Sequence, residues 1–181
     1  MITTTATTIR ARLAAVLLPL LFGAAVPGFA AGSDAPPAAP GVRPAGELIL
    51  IAGAADLRQS DKAAFAGLQV RFASNLYGIH PFVSAGGVYG GTNYLGTGLL
   101  YGFNLARRLR FTFGSGPGYY HHKGRDTDLD YKIEFSSWAE LSTLLYGHRV
   151  GLTFGHLSNA HLGHHNPGTE TVGLTWSACT W

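Results

Sequence analysis

The segment Tyr131-Lys-Ile-Glu-Phe-Ser-Ser-Trp-Ala-Glu-Leu-Ser142 alternates between two kinds of side chain. Its odd-numbered positions are mostly apolar, whereas its even-numbered positions carry Lys, Glu, Ser and Trp. Because successive side chains of a β-strand point to opposite faces, the segment is predicted to be a strand with one apolar face. Residues 109–121 alternate in the same way, with Leu, Phe and Tyr opposing Arg, Thr and Gly.

Strand-like segments of this kind continue along the chain after Ala45, and no segment there has a sustained helical period. We predict eight strands, at residues 47–55, 62–73, 79–90, 93–105, 109–121, 131–146, 148–158 and 170–181. Most are long enough to cross a bilayer when tilted, their number is even, and short and long connections alternate late in the chain. These features favour an all-β fold, an eight-stranded antiparallel outer-membrane β-barrel, over a soluble sandwich.

The N-terminal part has the organisation of a secretory precursor. Arg10 and Arg12 precede the apolar run 13–25, and small residues at positions 28 and 30 suit a signal peptidase. We expect a signal peptide at 1–30, a disordered Ala- and Pro-rich leader at 31–45, and the transmembrane barrel at 46–181. A permanent N-terminal anchor is the alternative interpretation of the same apolar run.

Composition excludes several other classes of protein. The single cysteine, Cys179, cannot form a disulfide within the chain. The formal net charge of +3 is small, and no basic run suggests a nucleic-acid partner. Polar positions such as Lys132, Glu134 and Glu140, with Arg110 and Arg149, have the parity of the barrel lumen and are predicted to fill it.

The segment Phe154-Gly-His-Leu-Ser-Asn-Ala160 carries the candidate chemistry, together with Glu170. His156 and Ser158 leave the same face of a strand, about 7 Å apart along the backbone. Glu170 begins the next strand, and all three share the parity of the apolar residues Val150 and Leu174. A nucleophile, a general base and an orienting carboxylate are therefore predicted on the lipid-facing wall, at the hairpin of strands seven and eight.

The motif His156-x-Ser158-Asn159, followed by Asn166-Pro-Gly168 and Glu170, resembles that of the lipid A 3-O-deacylase (PagL) family. The resemblance covers the exported barrel, about three quarters of the chain. It implies an eight-stranded barrel in the bacterial outer membrane that hydrolyses the ester-linked hydroxyacyl chain at position 3 of lipid A. By motif, Ser158 would be the nucleophile, His156 the base and Glu170 its orienting acid, with the site toward the external leaflet.

The loop between the last two strands supplies further candidates. Asn159, Asn166 and the Gly168 amide are candidates for the oxyanion hole or for supporting the site, and no cofactor or metal is expected. The histidines His161, His164 and His165 lack an accompanying Cys or carboxylate pattern, so loop polarity or phosphate contact is favoured over zinc binding. In the preceding external loop, Lys123 and Arg125 could also meet phosphate groups, and a merely solvated loop is the alternative.

Lipid A or lipopolysaccharide of the outer leaflet is thus the expected partner, and pairing of two barrels into a homodimer is left open. An outer-membrane phospholipase, a lipid A palmitoyltransferase and a non-enzymatic small barrel are the alternatives. The palmitoyltransferase would be expected to hold its acyl chain inside the barrel, whereas the lumen positions of strands five to seven are polar or glycine. One detail departs from expectation, because Trp181 has the opposite parity to Trp176. A bulge late in the last strand, or an incorrect register assigned to that strand, would account for it.

Overall fold

The computed structural model describes residues 46–58, 62–74, 76–123 and 128–180. In this part of the chain, eight antiparallel strands pair in sequence order, and β8 pairs with β1 to close the barrel. The predicted fold is confirmed. The strands are β1 (Glu47–Ala55), β2 (Ala63–Arg71), β3 (Ile79–Val88), β4 (Asn93–Asn104), β5 (Leu109–His121), β6 (Ile133–Leu145), β7 (His148–Ser158) and β8 (Thr169–Thr180).

The two faces of the wall differ as the alternation predicted. Large apolar side chains on one parity of each strand are exposed, which is the arrangement of a surface that meets lipid. These include Leu50, Leu68, Val83, Leu95, Leu99, Tyr101, Tyr119, Ile133, Phe135, Leu141, Val150, Leu152, Phe154, Leu174 and Trp176. No helix in the described ranges is long and apolar enough to cross a membrane.

The two ends of the barrel carry different connections. At the end where β1 begins and β8 finishes, β6 and β7 are joined by Tyr146 and Gly147 alone. Both residues have positive φ (49° and 85°), as the tightest hairpin turns require. At the opposite end, longer connections join β5 to β6 and β7 to β8, at 122–132 and 159–168. The candidate site lies at this second end.

Charged side chains fill the lumen near the end of the barrel where β1 begins and β8 finishes. Arg71 forms a two-pronged ion pair with Glu140, with N–O distances of 2.7 and 3.3 Å. Glu47 lies within 3.6–3.9 Å of Arg71, Arg110 and Arg149. The predicted interior network is therefore present in a different form, because Glu47 and Arg71 join it. Lys132 is exposed and precedes β6, so its predicted lumen position is wrong.

The register between β1 and β8 shifts once, where Leu48 pairs with Cys179 but Ile49 pairs with Ser177. The extra residue, Ala178, is a bulge, which is one of the two explanations considered for the parity of Trp181. Trp181 itself lies outside the described residues. The predicted signal peptide at 1–30 and the leader at 31–45 also lie outside them.

Candidate active site

The β7–β8 hairpin brings the histidine and the glutamate of the motif together. His156 and Glu170 are directly opposite in the antiparallel register, so their side chains leave the same face of the sheet. His156 follows the exposed residues Leu152 and Phe154 on alternate positions of β7. The pair therefore lies on the outer wall of the barrel, just beyond the apolar band of β7.

A short contact joins the two side chains. The His156 Nδ1 atom is 3.5 Å from Glu170 Oε1, and Glu170 is nearly covered, with 8 % of its side chain exposed. A carboxylate in this position holds the imidazole orientation and favours the tautomer that carries its proton on Nδ1. The second ring nitrogen, Nε2, is then free to accept a proton from a nucleophile.

Ser158 is placed on the same outer face, at the end of β7. Ser158 is half-buried. It pairs across the sheet with Phe135, an exposed residue of the same face. The described residues give its hydroxyl no hydrogen bond to His156. The structure thus places His156 beside Glu170 and leaves the Ser158 hydroxyl without a hydrogen bond to His156. Hydrogen bonds between catalytic groups are often long or poorly aligned in the absence of substrate.

Gly168 packs against the edge of the imidazole. Its φ is +62°, and a Cβ built on it would lie 2.8 Å from His156 Cε1 and 3.4 Å from Nε2. Only glycine avoids both the backbone strain and the clash at this position. The Asn166-Pro167-Gly168 turn therefore forms one wall of the site, beside the nitrogen that would receive the proton.

If His156 acts as the predicted general base, Gly168→Ala should lower the rate of ester hydrolysis per folded barrel by roughly a hundredfold, because a displaced general base loses most of its contribution. Gly147→Ala is the matched control, since Gly147 also has positive φ (+85°) but a Cβ built on it would meet no atom within 4 Å. Rates would be compared after the folded fraction is measured. Equal losses in the two variants would show that backbone strain alone is responsible.

Asn159 ties the two external loops together. Its side chain is fully buried, with Nδ2 donating to the carbonyls of Leu129 and His165 and Oδ1 accepting from the His161 amide. Its own amide donates to Asn166 Oδ1 at 3.1 Å. The polar groups of Asn159 are therefore engaged in holding the loop that carries the turn at Gly168.

Asp130 provides a second tie between the same loops. Its Oδ2 atom accepts a hydrogen bond of 2.8 Å from the His165 amide. This hydrogen bond holds the pKa of the Asp130 carboxyl below its ordinary value. A carboxyl whose pKa is depressed by folding contributes stability above its ordinary pKa, and that contribution is lost as the pH falls through the folded value.

The 159–168 loop should accordingly be best ordered at neutral pH and loosen at acid pH, below the ordinary range of an aspartate. Hydrogen exchange of this loop, corrected for intrinsic rates, would measure the effect. Asp130→Asn introduces another residue that tolerates the positive φ of 65° at this position, but it removes the titratable carboxyl group. We expect weaker protection in this variant at neutral pH, without the acid-dependent loss. The same acid-dependent loss in both proteins would assign it to another group.

Sequence reasoning missed one side chain at the site, that of Arg58. Its Nη2 atom is 3.0 Å from Glu170 Oε1, the same oxygen that faces His156. The one signal that could have found it was closure of the barrel, which places the end of β1 beside the start of β8. Among the described residues, no group of three or more His, Cys, Asp or Glu side chains is placed to hold a metal ion. Arg125, a predicted phosphate contact, lies outside those residues.

A cavity of about 170 Å³ occupies the lumen. Its lining includes Ile51, Phe65, Tyr94 and Trp138, and the Arg71–Glu140 pair borders it. His156 also borders it, whereas Ser158 and Glu170 do not. The cavity therefore extends to β7 beside the candidate site, although His156 has the parity of the lipid-facing residues of that strand.

Comparison with known proteins agrees with the barrel and with the motif. The sequence model of a family described as lipid A 3-O-deacylase (PagL) matches residues 47–178. None of the curated proteins matches the chain in sequence.

Solved structures resemble the chain at low sequence identity. The crystal structure of the outer-membrane enzyme PagL is 17 % identical, with a TM-score of 0.58 over 72 % of this chain and 97 % of that one. A de novo designed transmembrane β-barrel is 12 % identical, with a TM-score of 0.53 over 75 % and 96 %. Neisserial surface protein A is 10 % identical, with a TM-score of 0.53 over 73 % and 94 %. Likeness at these identities supports the fold, whereas the family assignment rests on the sequence match.

Proposed function

Because the chain belongs to the lipid A 3-O-deacylase (PagL) family, and is therefore an outer-membrane enzyme that deacylates lipid A, we propose that Ser158, His156 and Glu170 form the catalytic triad of this chain. In this proposal Ser158 is the nucleophile, His156 the general base and Glu170 the acid that orients the base. The bond cleaved is the ester that links the hydroxyacyl chain to position 3 of the lipid A sugar.

The register of the β7–β8 hairpin carries this proposal. It sets Glu170 opposite His156, with a Nδ1–Oε1 distance of 3.5 Å, while Ser158 shares their face. Polar and ionisable groups on a lipid-facing wall are costly unless they pair or act. The arrangement supports a reaction in which Nε2, on the side of the ring away from Glu170, serves the serine.

Acylation would proceed in two proton transfers. Ser158 Oγ attacks the carbonyl carbon of the ester as its proton passes to His156 Nε2, and a tetrahedral oxyanion forms. Glu170 stabilises the imidazolium meanwhile. The oxyanion then collapses, the bond from the carbonyl carbon to the sugar oxygen breaks, and His156 returns the proton to that oxygen. The products of this half-reaction are the 3-hydroxyl of lipid A and an acyl ester of Ser158.

Deacylation would repeat the sequence with water. His156 takes a proton from water, the hydroxide attacks the acyl carbonyl, and the Ser158 oxygen leaves with the proton from the imidazolium. For the oxyanion of both steps we propose the Gly168 amide as a donor, because Gly168 adjoins the imidazole. Asn159 and Asn166 would support that turn, given that each already hydrogen-bonds within the loop.

The position of the site also supports a lipid substrate. Phe154 and Leu152 lead up to His156 on the outer wall, and the long connections surround it at the end opposite the chain termini. With the termini in the periplasm, that end meets the external leaflet, where lipopolysaccharide resides. All three proposed catalytic groups belong to one hairpin, so a single barrel would suffice for the reaction, and a homodimer stays a prediction.

The decisive experiment is mass spectrometry of lipid A and phospholipids from cells that express the full chain. Loss of one 3-linked hydroxyacyl group from lipid A, with that hydroxy fatty acid recovered, is expected. Free fatty acid released from phospholipid instead would establish the phospholipase alternative. Unchanged lipids in cells whose outer membrane contains the folded barrel would overturn the proposed reaction.

A further inference from the structure

Arg58 contacts the same carboxylate oxygen that faces the general base. Its guanidinium Nη2 is 3.0 Å from Glu170 Oε1, and His156 Nδ1 approaches this oxygen to 3.5 Å. Arg58 itself is 80 % exposed, whereas Glu170 is 8 % exposed. A covered carboxylate therefore has one permanently charged partner and one partner that must gain and lose a proton during the reaction.

The backbone around Arg58 is attached to the start of β8. The Leu57 amide donates to the Glu170 carbonyl at 3.4 Å. The Asp56 amide donates to Thr169 Oγ1 at 3.2 Å, and this hydroxyl donates to Asp56 Oδ1 at 2.7 Å. These hydrogen bonds attach residues 56 and 57 to the start of β8, so the residue before Arg58 is held beside Glu170.

The surroundings of Glu170 give this contact a chemical consequence. A covered carboxylate is costly to bury unless it is paired, and the guanidinium of Arg58 supplies a partner of fixed charge. A charge-assisted contact of this kind also restricts the direction of the carboxylate, so that Oε1 stays aimed at His156.

We propose that Arg58 is a positioning residue for the deacylation, holding Glu170 directed at His156. The proposal rests on the triad proposed above and adds a fourth member to it, from the segment that follows β1, the strand that pairs with β8. It predicts that Arg58 acts through Glu170.

The test compares kcat and KM for purified full-length barrels acting on lipid A in detergent micelles. In Arg58→Gln, kcat should fall by roughly threefold or more while KM stays unchanged, because the carboxylate that orients His156 is less well directed. Arg58→Lys, which keeps the charge, should restore most of the wild-type kcat. Lys62→Gln removes an exposed charge near β2 and is the matched control.

A double-mutant comparison completes the test, because substitutions of groups that act as a unit do not have additive effects on the rate. Adding Arg58→Gln to Glu170→Gln should slow the enzyme no further. Additive losses, a raised KM with an unchanged kcat, or kinetics identical to those of Lys62→Gln would each overturn the proposal. Full activity in Ser158→Ala would instead overturn the proposed triad itself, so the two failures are distinguishable.

Discussion

Ser158→Ala is expected to lower the rate of lipid A deacylation by about a thousandfold or more while leaving the barrel folded. Removing the nucleophile of a serine hydrolase costs nearly the whole contribution of its triad. The fold should survive because Ser158 lies at the end of β7 and, among the described residues, its hydroxyl makes no hydrogen bond to His156. The measurement is release of hydroxy fatty acid from lipid A by equal amounts of folded protein.

Two further readouts make this result specific. A fluorophosphonate probe should label the wild type on Ser158, and should label neither Ser158→Ala nor His156→Ala, since the base is needed to activate the hydroxyl. Ser115→Ala is the matched control, because Ser115 is another serine on the outer face and lies two strands away from β7. Its hydroxyl is hydrogen-bonded to that of Ser137 at 2.9 Å. Substantial hydrolysis by Ser158→Ala, with the probe attached elsewhere, would move the nucleophile to another residue.

The fold could be predicted because lipid and lumen impose opposite demands on alternate residues. In β5 and β7 large apolar side chains alternate with Gly, Thr and Arg, and the observed bounds of both strands equal the predicted ones. The predicted ends of β3 and β6 extended too far. Gly90 and Gly91 adopt positive φ after β3, and Asp130 does so shortly before β6, so the chain turns there despite suitable composition.

The chemistry was predictable only where it lies within one hairpin. His156 and Glu170 could be paired because parity and a single loop relate them. Arg58 could not be found this way, since its contact depends on the closure of β1 against β8 and on the path of a loop. Likewise Glu47 and Arg71 lie on strands with weak alternation, and Arg71 meets Glu140 across the lumen, 69 positions along the chain. Contacts of this kind follow from the barrel's register rather than from local pattern.

Glu140→Gln is expected to destabilise the barrel by about 3 kcal/mol, because it breaks a buried ion pair in the lumen. Arg71 and Glu140 are both covered, with 6 % and 2 % of their side chains exposed. Loss of the carboxylate charge leaves Arg71 with the shared Glu47, at 3.6 Å. Three arginines would then depend on one glutamate in surroundings that solvate charge poorly. Urea unfolding of the purified barrel in detergent would measure the change.

Glu134→Gln supplies the matched control, because Glu134 occupies the same strand and the same lumen face and is fully buried. Neither of its carboxylate oxygens has a hydrogen-bond partner among the described residues. Replacing an unpartnered buried carboxylate by an amide removes a desolvation cost, so this variant should lose little stability or gain some. If burial of a carboxylate mattered more than its pairing, both variants would shift alike. The ion-pair explanation further requires Arg71→Met in the Glu140→Gln background to recover part of the loss, since it removes the uncompensated charge.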